Sequence, residues 1–170
     1  MERALGQLYP QEEPVWSWAR LAELMSRTRL PWIAKGILTV EDATAAVQAG
    51  ASAIAVSNHG GRQLDGVPSP IEVLPSIAMA VKGQAQIVLD SGIRRGSDVV
   101  KAVALGADVV MIGRLVAYGL SAAGERGVDQ VLALPSLVRG RATRARGLQR
   151  RPVRVSAVRG RFRFGGFPTI

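Results

Sequence analysis

An α/β fold with a parallel sheet is predicted by three features of the sequence. Between Pro31 and Leu134 one phrase recurs four times: a short β-branched apolar run, a Gly-containing turn, and a helical pattern closed by Gly. The apolar runs do not alternate with polar residues, which is what strands covered on both faces require. Polar and charged residues gather at the end of each run, where parallel α/β folds carry their chemistry.

Taken in order, Trp16 to Met25 is predicted as a helix packed ahead of the first strand. The four strand candidates are Trp32 to Ile37, Ala53 to Asn58, Ile87 to Gly92 and Val109 to Arg114. After the first, Thr39 with Asp42 resembles a helix N-cap followed by an acid in the first turn, and Gly50 is the stop. A second helix is predicted over Ile71 to Val81. Ser97 and Asp98 repeat the start signal before Val99 to Leu105, and Gly106 repeats the stop. The last helix is expected from about Val116 to Leu134. Four βα units make half of a (β/α)8 barrel, which typically needs ~250 residues. Four parallel strands leave two open edges that would recruit another chain. A missing N-terminal barrel half, or a homo-oligomer, is therefore the expected partner.

At 170 residues and 48% hydrophobic content the chain can bury one core. The organisation read from it is an N-terminal extension over residues 1–14, the half barrel over 15–134, and an Arg-rich tail over 135–170. The tail is predicted to be disordered. The net charge of +9 sits in that tail, where ten Arg face no acidic residue; the remainder, with 12 basic and 13 acidic side chains, is near neutral. Two origins fit the tail. One is a shifted reading frame near Pro135, since Arg, Gly, Ala and Pro dominate out-of-frame translation of GC-rich DNA. The other is a nucleic-acid-binding extension, with Phe162, Phe164 and Phe167 available for stacking, and it is the lesser of the two. With no Cys the chain has no disulfide, no thiolate metal site and no cysteine nucleophile, and no metal site is predicted. No apolar run reaches signal-peptide or membrane-spanning length, so no transmembrane segment and a cytoplasmic location are expected.

The strand ends hold Lys35, Ser57 to Arg62, Asp90 to Gly96, and Gly113 with Arg114. In the last two segments, glycines let backbone amides approach an anion, helix N-termini direct partial positive charge at it, and Arg94 and Arg114 can fork onto phosphate oxygens. A phosphate group is the natural ligand, against the plainer view that Gly92 and Gly96 only make turns. A lone histidine is ordinarily a packed or exposed side chain. His59, however, follows a strand directly, and Arg62 lies three residues on in a Gly-rich loop, which suits a general base beside a carboxylate clamp. Lys35 could be a structural ion-pair partner, but a cation at a strand's catalytic end better suits stabilisation of developing negative charge.

Four motifs carry a family resemblance: Leu30 to Leu38 (LPWIAKGIL), Ser57 to Asp65 (SNHGGRQLD), Asp90 to Gly96 (DSGIRRG) and Ala104 to Arg114 (ALGADVVMIGR). Together they resemble the FMN-dependent α-hydroxy-acid dehydrogenases and oxidases, which include glycolate oxidase, lactate oxidase, L-lactate dehydrogenase and mandelate dehydrogenase. The likeness covers about Val15 to Leu134, the C-terminal half of such a barrel. It implies FMN as cofactor and oxidation of a small L-2-hydroxy acid to the 2-oxo acid. By the same resemblance His59 is the proton acceptor and Arg62 grips the substrate carboxylate. Lys35 lies beside the flavin N1 edge and stabilises its anion, and Ser57 contacts the flavin. Asp90, Ser91, Gly92, Ile93 and Arg94 form the ribityl and phosphate loop, which Gly113 and Arg114 complete. Ser91 departs from the Gly that is common there. The family's first barrel half brings substrate-binding tyrosines, further flavin contacts and the carboxylate that orients the histidine, so the fragment alone is expected to be inactive. The alternative is a non-catalytic or degenerate phosphate- or FMN-binding half that needs a partner polypeptide. Barrels such as IMP dehydrogenase share the phosphate elements but need a cysteine nucleophile.

Overall fold

The computed structural model describes residues 17–142 and 154–155, with side chains described over 17–133. The expected N-terminal extension and most of the expected tail lie outside these residues.

The chain opens with helix α1 (Trp18–Met25), whose cap Ser17 accepts from the Arg20 amide at 3.1 Å. Strand β1 (Ile33–Ile37) and helix α2 (Val40–Gln48) follow, and the predicted cap is present: Thr39 Oγ1 accepts from the Asp42 amide at 3.1 Å. Next come β2 (Ala53–Val56), α3 (Pro70–Ala80) and β3 (Gln86–Leu89). The start of α3 has Pro70 in its first turn and Ser69 as cap, with the Ser69 amide donating to Glu72 Oε2 at 2.9 Å. The Ser69 hydroxyl, and after it the Ser69 amide, hold the Glu72 carboxyl below its ordinary value.

Helix α4 (Gly96–Ala104) begins earlier than the sequence suggested. Its cap is Arg95 rather than Ser97, and Asp98 acts from inside the first turn by accepting from the Arg94 and Arg95 amides at 3.1 and 2.9 Å. Strand β4 is only Val109–Val110. The helical segment α5 (Arg114–Ala142) runs past the expected boundary at Leu134. It is interrupted at Ala123 and Gly124, inside the single helix expected there, so a second helix starts at Glu125. There the chain folds back on itself, and the backbones of Gly119 and Gly127 meet with no room for a Cβ on either. A short strand β5 (Arg154–Val155) lies inside the expected tail.

All strand pairs are parallel, in the order β1-β2-β3-β4-β5. Four βα units in sequence order make half of a (β/α)8 barrel. Strand β5 pairs Arg154 with Val109 and Val155 with Val110, and so lies along the β4 edge. One face of the sheet (Ile37, Ile54, Val56, Ile87, Leu89, Val110) packs against Ala43 and Ala46 of α2, Leu74 and Ile77 of α3, and Val99 and Ala102 of α4. Each large aliphatic buried there contributes ~1.5–3 kcal/mol. The opposite face carries small residues, Ala53, Ala55 and Val88, with Val109 and Met111 against them. Burial on both faces explains why the strand sequences do not alternate.

One irregularity shapes the site. Between Lys35 and Ile37 the pairing with β2 shifts by a residue, and the bulged residue is Gly36 at φ 92°. A bulge re-aims the side chains beside it. It also leaves a bare backbone: a Cβ on Gly36 would stand 2.6 Å from His59 Nε2.

Candidate functional site

Residues from the C-terminal ends of the strands converge because the parallel register puts those ends side by side: Ile37 pairs with Val56, and Val56 with Leu89. Ser57 follows directly on β2 and Asp90 directly on β3. Lys35, one residue before the bulge, reaches both. Its Nζ donates to Ser57 Oγ at 2.8 Å and pairs with Asp90 Oδ2 at 3.1 Å. The ion pair, the lesser reading for Lys35, is thus present, and it lies inside the site.

Ser57 is fully buried. Besides Lys35 it accepts from the His59 amide at 3.1 Å and hydrogen-bonds the Asp90 carboxylate. Asp90 also receives the Ser91 hydroxyl at 2.8 Å. Burial by itself would raise the Asp90 carboxyl; the hydrogen bonds of Ser57, Ser91 and Lys35, with the charge of Lys35, outweigh it and leave the group below its usual value. Asp90 is therefore a carboxylate that accepts and does not donate.

The loop after β2 crosses above this cluster. His59 (φ 56°), Gly60 (φ 70°) and Gly61 (φ 75°) are consecutive left-handed residues, so the chain curls tightly and brings the exposed imidazole over Gly36. The Gly60 amide donates to Ser91 Oγ at 3.1 Å, and the Gly60 carbonyl accepts from Arg114 Nη2 at 2.5 Å. Arg114 thereby ties the start of α5 to the same loop. Lys35, Ser57, His59, Asp90, Ser91 and Arg114 form one connected group. Arg62, Arg94 and Gly113 are exposed, and among the described residues neither the Arg62 nor the Arg94 side chain joins this group or lines the cleft beside it.

A cleft of about 370 Å³ opens between the loop after β2 and the loop after β3, lined by Gly60, Ser91, Gly92, Ile93 and Arg114 among others. Among the described residues, a Cβ built on Gly92 or Gly113 meets nothing within 4 Å, so none of them crowds the backbone there. Bare backbone, a guanidinium and small side chains suit a phosphate. The same cleft takes in Asn58, Ser69, Lys101 and Asp98, none of which the strand-end search selected as ligand contacts. Asn58 Oδ1 is buried and has no hydrogen-bond partner among the described residues, so it suits a donor such as a hydroxyl. The signal that could have found the α3 side of the cleft is the Ser69-Pro70 helix start. One motif residue proves to serve stability instead: Asp108 Oδ2 accepts from the Ile87 amide at 2.9 Å, at the opposite end of β3 from the site.

Residues 2–136 match the family described as FMN-dependent dehydrogenase, a span that begins ahead of the expected start at Val15. The L-lactate oxidase of Lysinibacillus sphaericus is 55% identical over 70% of this chain and 31% of its own length. The pre-mycofactocin synthase of Mycolicibacterium smegmatis is 56% identical over 68% of this chain and 29% of its own. A crystal structure of mandelate oxidase superposes with a TM-score of 0.73 at 47% identity, covering 81% of this chain and 40% of that one. The chain therefore spans about a third of the length of the curated relatives it matches. Relatives of equal identity carry different activity names, so identity alone does not select a substrate.

Proposed function

Because the chain belongs to the FMN-dependent dehydrogenase family, we propose that it forms the FMN-phosphate and proton-acceptor half of an enzyme that oxidises a small L-2-hydroxy acid to the 2-oxo acid. The observation that supports this best is the single hydrogen-bonded group joining Lys35, Ser57, His59, Asp90, Ser91 and Arg114 from four strand ends, with His59 Nε2 over the bare backbone of Gly36. The residues present suit FMN: Arg94, Arg114 and the open backbone at Gly92 and Gly113 would hold its phosphate, and Lys35 would face its ring, with the buried Ser57 hydroxyl holding the Lys35 ammonium from below. When bound, FMN would accept the two electrons released at the α-carbon, and the α-carbon hydrogen would leave with them toward the flavin side.

Oxidation of a hydroxy acid releases two electrons and two protons. His59 takes the hydroxyl proton at its imidazole, which needs a neutral ring with a free nitrogen. Arg62 fixes the substrate by forking onto its carboxylate. Lys35 places a cation at the strand end, where negative charge develops, while Asp90 keeps that ammonium in place. The carboxylate that would orient the imidazole belongs to the first half of the barrel, so a base without that support is poorly placed.

The test uses the 170-residue chain alone and the chain combined with the first four βα units of a lactate oxidase relative. The chain alone is expected to quench flavin fluorescence only weakly and to show no turnover of lactate, glycolate or mandelate. The combined halves are expected to bind FMN and oxidise at least one of these acids, with loss of turnover in His59→Ala. Robust turnover by the isolated chain would overturn the proposed dependence on a second half. Assembled halves that bind no FMN would overturn the cofactor assignment.

A further inference from the structure

Two residues other than glycine adopt the left-handed conformation among the described residues, His59 at φ 56° and Ser91 at φ 68°. An L side chain is strained there, and glycine would relieve it. A serine kept in that conformation is best explained by what its hydroxyl does. It donates to Asp90 Oδ1 at 2.8 Å and accepts from the Gly60 amide at 3.1 Å. The neighbouring amide is held in the same way: His59 N–H donates to Ser57 Oγ, and Ser57 hydrogen-bonds Asp90. Two consecutive amides thus end on two hydroxyls that share one carboxylate. Asp90 is in turn fixed by Lys35.

We propose that Ser91 is a positioning residue for His59: its hydroxyl couples the Gly60 amide to Asp90 and, together with Ser57, locks the left-handed turn that carries the imidazole over Gly36. Among the described residues the Gly60 amide has Ser91 Oγ as its acceptor, and the Gly61 amide bonds back to the Asn58 carbonyl within the turn, at 3.0 Å. Without the Ser91 hydroxyl the second amide of the turn falls to solvent, and the imidazole loses its fixed height above β1. The consequence for catalysis rests on the assignment of His59 as proton acceptor; the positioning itself does not.

His59 is the one histidine of the chain, so its imidazole gives a single unambiguous set of NMR resonances. The experiment compares wild type with Ser91→Gly and Ser91→Ala in the 170-residue chain. Glycine removes the hydroxyl and the strain together, whereas alanine removes the hydroxyl and keeps the strain. Both variants are expected to accelerate exchange of the Gly60 amide about five- to tenfold, the worth of one hydrogen bond, and to move the imidazole resonances in the same direction. Ser91→Gly is expected to melt higher than Ser91→Ala, which separates the hydroxyl from the backbone strain. Unchanged Gly60 exchange and an unmoved imidazole in Ser91→Gly would overturn the proposal, and that variant decides the matter even if Ser91→Ala fails to fold. Neither readout involves FMN or turnover. Altered resonances alongside an assembled enzyme that tolerates His59→Ala would reject the role of His59 while leaving the Ser91 coupling intact.

Discussion

Replacing Asp90 by asparagine removes one charge from the centre of the site while keeping its shape. The carboxylate serves three partners: the Lys35 ammonium at 3.1 Å, the Ser91 hydroxyl at 2.8 Å and the Ser57 hydroxyl. The Coulomb attraction to Lys35 is about 5 kcal/mol at an effective dielectric near 20. The Lys35 side chain is 42% exposed, however, and solvent screening leaves about 1 kcal/mol of that. Asparagine keeps one acceptor oxygen, so one hydroxyl loses a charged acceptor, a change of about 1.5–3 kcal/mol. It also turns an amide N–H toward one of the donors. Against this, a half-buried charge no longer has to be desolvated. The net loss is about 2 kcal/mol, read as a fall in Tm of roughly 5–12 °C for a domain of this size. The pH dependence sharpens the test. The folded-state pKa of Asp90 lies below the unfolded value of 3.8, so its contribution is present above about pH 4 and is lost as pH falls through the lowered value. Thermal melts of wild type and Asp90→Asn from pH 7 downward should therefore show a gap that is full at neutral pH and closes in strong acid. A gap under about 0.5 kcal/mol at pH 7, or one that stays constant into strong acid, would refute the view of Asp90 as the charged anchor of the site.

Two further substitutions follow from close approaches. Gly127→Val places a side chain against the backbone of Gly119, so the two helical parts of α5 must separate, at a cost of about 1–3 kcal/mol or more; a melting temperature within error of wild type would contradict that packing. Gly36→Ala combines a positive φ with a Cβ 2.6 Å from His59 Nε2. It should lower stability by about 1–2 kcal/mol through the backbone and shift the His59 imidazole resonances, because the exposed imidazole yields more readily than β1 does.

How much of this was legible in the sequence depends on the range of the interaction. The four β-branched runs, the Thr39 cap and the Gly50 stop are local signals, and each corresponds to an element at nearly the expected place. Where the signal competed with a neighbour the reading slipped: Ser97 looks like a cap, but Asp98 reaches back to the Arg94 and Arg95 amides and starts α4 earlier. The run Val109 to Arg114 is apolar for longer than its two-residue strand, because apolar composition marks burial and not pairing. The break at Gly124 falls inside the single helix expected from about Val116 to Leu134, and the Gly119 and Gly127 contact was no more legible, since nothing local distinguishes a glycine that touches another backbone from one that merely makes a turn.

By itself the sequence determined that four βα units follow one another, that their strands are covered on both faces, and which side chains stand at the strand ends, because period and capping depend on residues a few positions apart. Only the tertiary structure decided that Lys35, Ser57 and Asp90 meet, that Gly36 is bulged beneath His59, that Ser91 holds the Gly60 amide, and that Arg154 and Val155 lie along the β4 edge. Those contacts join residues 20 to 50 positions apart, roughly, and their partners are fixed by strand register and loop curvature. Neither quantity is written in any short stretch of chain.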